Sequence, residues 1–322
     1  MYNKNAKIHY GGHSMNTVIF RYPNWVRKSI TFTIDDGNVP LDRKFISITR
    51  PAGIKGTFNL CTPLRHFQDP EDYRAFYEGY EIGNHCRYHA YPFSLSRPVT
   101  LKNELFPGKD LADEQFGYHE NEPGLYRIHT YAWTYMADDD KYMALVDSCQ
   151  KELEEVFGKD RVKGYIWPCG EQNNPEVFKR LVSYGFQSIR AVGNVKDSTN
   201  FDLPANRMRW SYNADNRCLN EVAALYDAYP DDGKLKFFCF GVHSHDFEND
   251  GNWNELVEFA ERFGEREQDF WYASVGEIFD YEDAVKSARV SGTAVSNPSK
   301  LDLYAEIDGE KVVIPAGGTY AK

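Results

Sequence analysis

Short apolar, β-rich runs alternate with amphipathic stretches along most of this chain, and several runs stop abruptly at Asp, His or Pro-x-Gly. Ser29–Ile34 (SITFTI) ends at Asp35-Asp36-Gly37. Gly56–Leu60 (GTFNL) and Gly79–Gly83 (GYEIG) read as strands, with a helix over Glu71–Glu78 between them. Ala144–Phe157 has apolar residues at helical spacing and ends at Gly158, a plausible cap. Val162–Trp167 is a strand closed by Pro168-Cys169-Gly170, and Pro175–Tyr184 a helix with proline in its first turn and Gly185 behind it. Phe186–Val192 and Leu235–Val242 read as strands, Asn254–Phe263 as a helix, and Asp269–Val275 as a last strand. Repetition at this pitch calls for a parallel sheet with crossover helices. In such folds, chemistry collects on the loops at strand C-termini.

Two regions break the pattern. Residues 97–143 mix Pro, Gly, Asp and aromatics and read as an insertion. After residue 288, VSGTAVSNP is linker-like, and Leu301–Glu306 and Lys311–Pro315 flank Asp308-Gly309, a hairpin signal. The expected division is a main domain over 1–288 and a small C-terminal β-hairpin extension over 289–322. An apolar fraction of 42% excludes disorder. A net charge of −11 with no basic run excludes nucleic acid and anionic membrane as main partners. No stretch of 18 apolar residues occurs, and the first twenty residues hold no apolar core of a signal peptide, so a cytoplasmic location is expected of the chain as given. The six cysteines form no C-x-x-C; Cys61 and Cys239, in apolar runs, read as buried thiols.

Three polar clusters could carry chemistry. His85 and His89 in GNHCRYHAYP stand four apart; on a helical turn they would face one side and could bind one divalent ion, or they could be loop histidines stacked on Tyr88 and Tyr91. Asp35 and Asp36 repel if buried together without a cation, yet Asp-Asp-Gly is also an ordinary turn. His243 and His245 follow the most apolar run and either form a site at the strand end or cap it in solvent. Asp138-Asp139-Asp140 reads as a solvated helix start, and His66, His119 and His129 as surface residues.

In order, TFTIDDG, GTFNL, EIGNHCRYH, WPCG and a hydrophobic strand ending in His resemble the polysaccharide deacetylase family, the carbohydrate esterases with the NodB homology domain, over roughly residues 25–280. The resemblance implies a distorted (β/α) barrel of about seven parallel strands, here with a small C-terminal β appendage. It implies Asp35 as general base and Asp36, His85 and His89 as ligands of one divalent metal ion, zinc by preference, with cobalt, nickel or manganese as alternatives. Trp167, Pro168 and Cys169 match a segment forming one side of the substrate groove, with the Cys169 backbone N–H as oxyanion donor. His243, ahead of His245, matches the general acid.

The chain departs from the family at two points. The third motif's Arg, which in the family braces the catalytic Asp, would fall at Ile166, and the fourth motif's Asp/Trp pattern is not recognisable in NVKDSTNFDLP. Arg190 in SIRAVGN is the candidate replacement brace, and Trp210 in RMRWS the candidate aromatic wall. A protonated His opposite an Asp base suits cleavage of an amide, because an amine leaves poorly without a proton. The expected activity is therefore removal of acetyl groups from an N- or O-acetylated carbohydrate. Two alternatives stay open: hydrolysis of a small cyclic amide, as in allantoinase-like relatives, and a sugar-binding protein that has lost catalysis. Aromatics make up 15% of the chain. Whether Trp133, Trp167 and Trp210 face a sugar groove or the core is the question this excess leaves.

Overall fold

A computed structural model describes residues 17–92, 116–118, 125–128, 133–136, 138–169, 174–191, 200–292 and 294–321. His119, His129, Gly170 and the side chains of Trp133 and Tyr135 lie outside the described residues, as does most of the segment 194–200.

Seven parallel strands form the centre: β1 (Lys28–Asp35), β2 (Thr57–Thr62), β3 (Glu81–Arg87), β4 (Val162–Ile166), β5 (Ser188–Arg190), β6 (Lys236–His243) and β7 (Phe270–Tyr272). Their order is β5-β4-β3-β2-β1-β6. β6 runs level with all of β1, from Lys236 beside Lys28 to His243 beside Asp35. β7 pairs with Lys28–Ile30, and β2 with Thr33–Ile34. An irregular segment fills the gap between β5 and β6. Ala191 N–H donates to Trp210 O on one side, and Asn213 N–H to Cys239 O on the other. That segment closes the sheet into a distorted (β/α) barrel, as expected.

β1 is buried at all eight positions, as a parallel strand covered on both faces must be. Its period of two sorts core from chemistry. Ile30, Phe32 and Ile34 join the main apolar cluster, where Phe32 lies 4.9 Å from Phe45 of helix α1 (Val39–Thr49). On the other face, Thr33 Oγ1 and Asp35 Oδ1 both accept from Asn59 Nδ2 at 2.7 Å.

The remaining helices are α2 (Pro70–Phe76), α3 (Asp139–Phe157), α4 (Pro175–Tyr184), α5 (Leu219–Asp227), α6 (Ser244–Asn249), α7 (Trp253–Phe263) and α8 (Val275–Ser287). α4 starts and stops as its sequence indicates. The Asn174 side chain accepts from Val177 N–H, Pro175 opens the first turn, and Gly185 ends the helix at φ 103°. Asp138 caps α3 by accepting from Lys141 N–H, so the Asp triplet is a helix start. The strand expected to reach Val275 stops at Tyr272. Ser274 and Glu277 form a reciprocal capping box there, and it starts α8 instead.

At the C-terminus, Asp308 and Gly309 both take positive φ, 52° and 82°, and join Leu303–Ile307 to Glu310–Ile314 in the expected hairpin. Val18–Arg21 adds a third antiparallel strand. The stretch read as a linker is instead structured: Ala294–Ser296 is the middle strand between Arg289–Ser291 and Thr319–Ala321. Leu303, Ala305, Ile307 and Ile314 share an apolar cluster with Val275, Ile278 and Phe279. Within the expected insertion, Phe116–Tyr118, Leu125–Ile128 and Trp133–Met136 form a four-stranded sheet with Ala90–Pro92. Cys239 is buried, whereas Cys61 is half-buried. No helix among the described residues is long and apolar enough to cross a membrane.

One buried acid behind the strand ends gives the fold a pH dependence. Asp42 on α1 is fully buried and accepts from the Tyr77 hydroxyl at 2.7 Å. Burial pushes its carboxyl up to about 7, against the lowering by the Ser244 and Tyr77 hydroxyls. The unfolded chain releases that proton near ~3.9. The folded state therefore binds more protons between these values, and stability falls as pH rises from about 4 to about 7. Asp42→Asn should flatten that decline in urea-denaturation midpoints; an unchanged slope would place the linkage elsewhere.

Candidate active site

Asp35 ends β1 and Asp36 begins the turn that follows, at φ 77°. A left-handed residue other than glycine is uncommon, and Asp tolerates the conformation better than most. The turn separates two acids that would otherwise repel. Asp35 stays in the barrel interior, where Arg190 donates to both its oxygens and Asn59 to one. Burial pushes the Asp35 carboxyl up, but the Arg190 guanidinium and the nearby His85 and His243 outweigh it and hold the group below the usual range. Asp36 turns away to two imidazoles: its Oδ1 lies 3.4 Å from His85 Nε2 and 3.5 Å from His89 Nε2. Burial raises Asp36 too, but the neighbouring His85, His243 and His89 rings outweigh it and hold the carboxyl well below the usual range.

The two histidines are not on a helical turn. β3 runs through Arg87 because its backbone stays paired with β2 as far as Thr62 beside Arg87. Cys86, Tyr88 and His89 then take left-handed φ of 61°, 61° and 51°. This strained turn, unlike a helix, brings His89 back beside His85, with ring centroids 4.9 Å apart. Cys86 points into the apolar cluster with Tyr142 and Tyr165, so it is no ligand.

The donor set fits a divalent metal ion. His85 Nε2 and Asp36 Oδ1 are buried without hydrogen-bond partners. His85 Nδ1 lies 3.0 Å from Ile166 O, so it donates there, which fixes the tautomer and leaves the Nε2 lone pair facing Asp36. Burial, with the nearby His85, lowers the His89 pKa to about 4, so that ring is neutral and its lone pair free at pH 7. Tetrahedral zinc with ligands at 2.0–2.1 Å separates its ligand atoms by ~3.3–3.4 Å. The 3.4 and 3.5 Å spacings match that figure.

His243 closes the opposite wall at the end of β6, level with Asp35. Its backbone N–H and Nδ1 both meet Asp246 Oδ2 at 2.9 Å, and Nε2 faces Asp36 Oδ2 at 3.9 Å. Burial lowers its pKa, but Asp246, Asp36 and Asp35 raise it further, to about 9, so the ring is protonated at neutral pH. His245 stacks on His243 at 4.6 Å.

A cleft of about 750 Å³ unites these groups. Trp167, Cys169, Tyr212 and Arg217 line it as well. Cys169 takes a left-handed φ of 56° at its wall, and Pro168 is buried behind it. Trp210 is not at the cleft. It is buried against Phe237 and Phe279, which take its ring into the core, and Trp167 and Tyr212 are the aromatics that line the cleft. Gly241 makes that possible, since a Cβ there would come within 2.1 Å of the Tyr212 ring.

Sequence reasoning overlooked Asn59, Asp246 and Tyr212. Asn59 had a signal, a polar residue inside an apolar strand. Asp246 had another, a carboxylate three residues after a strand-end His. The Asp35–Arg190 pair has a thermodynamic signature. Removing one partner of a buried pair costs about 3–5 kcal/mol. Arg190→Ala should lose that much in urea denaturation, and Arg190→Ala/Asp35→Asn should recover part of it; equal stabilities would mean that Asp35 does not depend on Arg190.

No curated protein matches the chain by sequence. Among solved structures, a polysaccharide deacetylase from Bacillus cereus is 13% identical over 77% of this chain and 92% of its own, with a TM-score of 0.40. A CE4 esterase from Streptococcus mutans is 14% identical over 79% and 92%, with a TM-score of 0.42. A chitin deacetylase from the fungal pathogen Colletotrichum lindemuthianum is 11% identical over 80% and 88%, with a TM-score of 0.41. The model of the polysaccharide deacetylase family matches residues 23–189, more than half of the chain. By that match, the chain belongs to the polysaccharide deacetylase family.

Proposed function

We propose that this protein is a metal-dependent hydrolase that removes acetyl groups from an N- or O-acetylated carbohydrate. The observation that carries the reading is the facing pair of His85 Nε2 and Asp36 Oδ1, buried and unpartnered, with His89 completing the triad. A second cavity of about 540 Å³ meets the cleft at Asp36 and is lined by Leu60, Arg65, Tyr73 and Tyr88 among others. Two recesses joined at the reacting centre suit an extended glycan.

Asp36, His85 and His89 would hold the ion, zinc by preference. When bound, it supplies Lewis acidity and lowers the pKa of water in its open position. Asp35, ionised and held by Arg190 and Asn59, takes the proton from the attacking water. The water oxygen bonds to the acetyl carbon, and the carbonyl electrons move onto its oxygen. The Cys169 backbone N–H, on the cleft wall, would hold that oxyanion; such a donor contributes ~2.7–4 kcal/mol. His243, oriented by Asp246, donates its proton to the leaving nitrogen or oxygen as that bond breaks. The products are acetate and the free amine or alcohol.

The test is acetate release from a panel of acetylated glycans, with cyclic amides alongside, in protein stripped of metal and reloaded with Zn²⁺ or Co²⁺. At least one glycan should release acetate only with metal. Asp35→Asn should keep the ion by elemental analysis and lose ~10²–10⁴-fold in turnover. His89→Ala should lose the ion itself. Turnover confined to cyclic amides would overturn the substrate assignment, and a fully metallated His85→Ala/His89→Ala protein would remove the site.

A further inference from the structure

His245 has no part in the reaction above, yet it stands in a second ligand set. Asp36, His243 and His245 each offer a ligand atom, and these atoms lie within 4.8 Å of one another. Asp36 belongs to both sets and presents a different oxygen to each: Oδ1 to His85 and His89, and Oδ2 to His243. A carboxylate used through both oxygens bridges two ions, as in two-metal sites with ions roughly 3.5–4 Å apart. His243 has the outer-shell partner of a ligating histidine, with Nδ1 on Asp246 Oδ2 at 2.9 Å and Nε2 aimed at Asp36. Asp246 and Asp250 line the same cleft and add negative charge to it.

We propose that Asp36, His243 and His245 form a second divalent-cation site, weaker than the first, whose filling inhibits the enzyme. The spacing sets the order of affinity. Asp36 lies 3.4 and 3.5 Å from the first pair, close to the ~3.3–3.4 Å of a tetrahedral ion, so that site is preformed. In the second set the Asp36–His243 distance is 3.9 Å, so its ligands must close around an ion. A second cation beside the first also meets its repulsion. Inhibition follows from the identity of one atom. His243 Nε2 cannot bind a metal and carry the proton for the leaving group together. This rests on the reading of His243 as the acid, and it makes acetate release rise and then fall with metal concentration.

The test is equilibrium dialysis of the full chain against graded Zn²⁺, with zinc per chain measured by elemental analysis. The wild type should take one ion at low zinc and two at high zinc. His245→Gln should keep the first and weaken the second by more than the roughly 10–100-fold that loss of an outer-shell partner costs. Half-inhibition of acetate release, scaled to each protein's own maximum, should shift to higher zinc by the same factor. With Co²⁺, the second equivalent should add visible absorption in the wild type and not in His245→Gln, while the first band, present in both, reports that the variant is folded. A stoichiometry fixed at one overturns this proposal and leaves the hydrolase reading intact. A second ion bound equally by His245→Gln, or bound without inhibition, also overturns it. A protein that binds no ion removes both readings.

Discussion

A charged carboxylate inside a barrel has to be compensated, and the Asp35–Arg190 pair is the interaction on which the rest of this site depends. An unpaired buried ion costs several kcal/mol even after relaxation. The two residues sit on β1 and β5, which are separated in the sheet by β2, β3 and β4. They meet only because the sheet curls and closes through the segment around Trp210–Ala214. Room for the pair and for Asn59 comes from Gly83, where a Cβ would lie 2.1 Å from Asn59 Oδ1. Sheet closure and the ionisation of Asp35 are thus one structural fact.

With the Asp35 charge compensated by Arg190, Asp36 turns to a different set of partners. Adjacent acids on a continuing strand would point to opposite faces of the sheet. The left-handed turn at Asp36 keeps both carboxylates at one cleft while giving each its own partners. One is satisfied by a guanidinium, and the other meets imidazoles whose lone pairs face it across 3.4 and 3.5 Å. The first arrangement holds a buried negative charge in place. The second has the form of a place for a metal ion. Asp246 completes the division of labour by orienting His243 between the two.

Much of this was legible in the chain. Strand ends at Asp35 and His243, and one within a residue of Trp167, were visible because apolar runs stop there, and the family resemblance pointed to Asp36, His85 and His89. Arg190 was singled out as a brace, and the structure places it on Asp35. Less legible was anything set by local backbone geometry or by the far side of the barrel. The His85–His89 spacing suits a helix as well as a strained turn, and only pairing with β2 decides for the turn. Trp210 was read as a cleft wall because the aromatic of the family's fourth motif is missing from NVKDSTNFDLP; Phe237 and Phe279, distant in sequence, take it into the core. The strand read as Asp269–Val275 hid a capping box, whose Ser274 and Glu277 are plain in the sequence but compete with a run of β-formers.

By itself, then, the sequence determined the alternation of strand and helix, the polar strand ends and the residue types that can bind a cation and move protons. These follow from local periodicity, chain stiffness and side-chain chemistry, which need no knowledge of neighbours. Only the tertiary structure decided which residues share the cleft, which oxygen of Asp36 faces which imidazole, and that Tyr212 rather than Trp210 lines it. The physical reason is distance: those choices are made by strand register, barrel closure and burial, contacts between residues as far apart as Asp35 and His243 that no local pattern encodes.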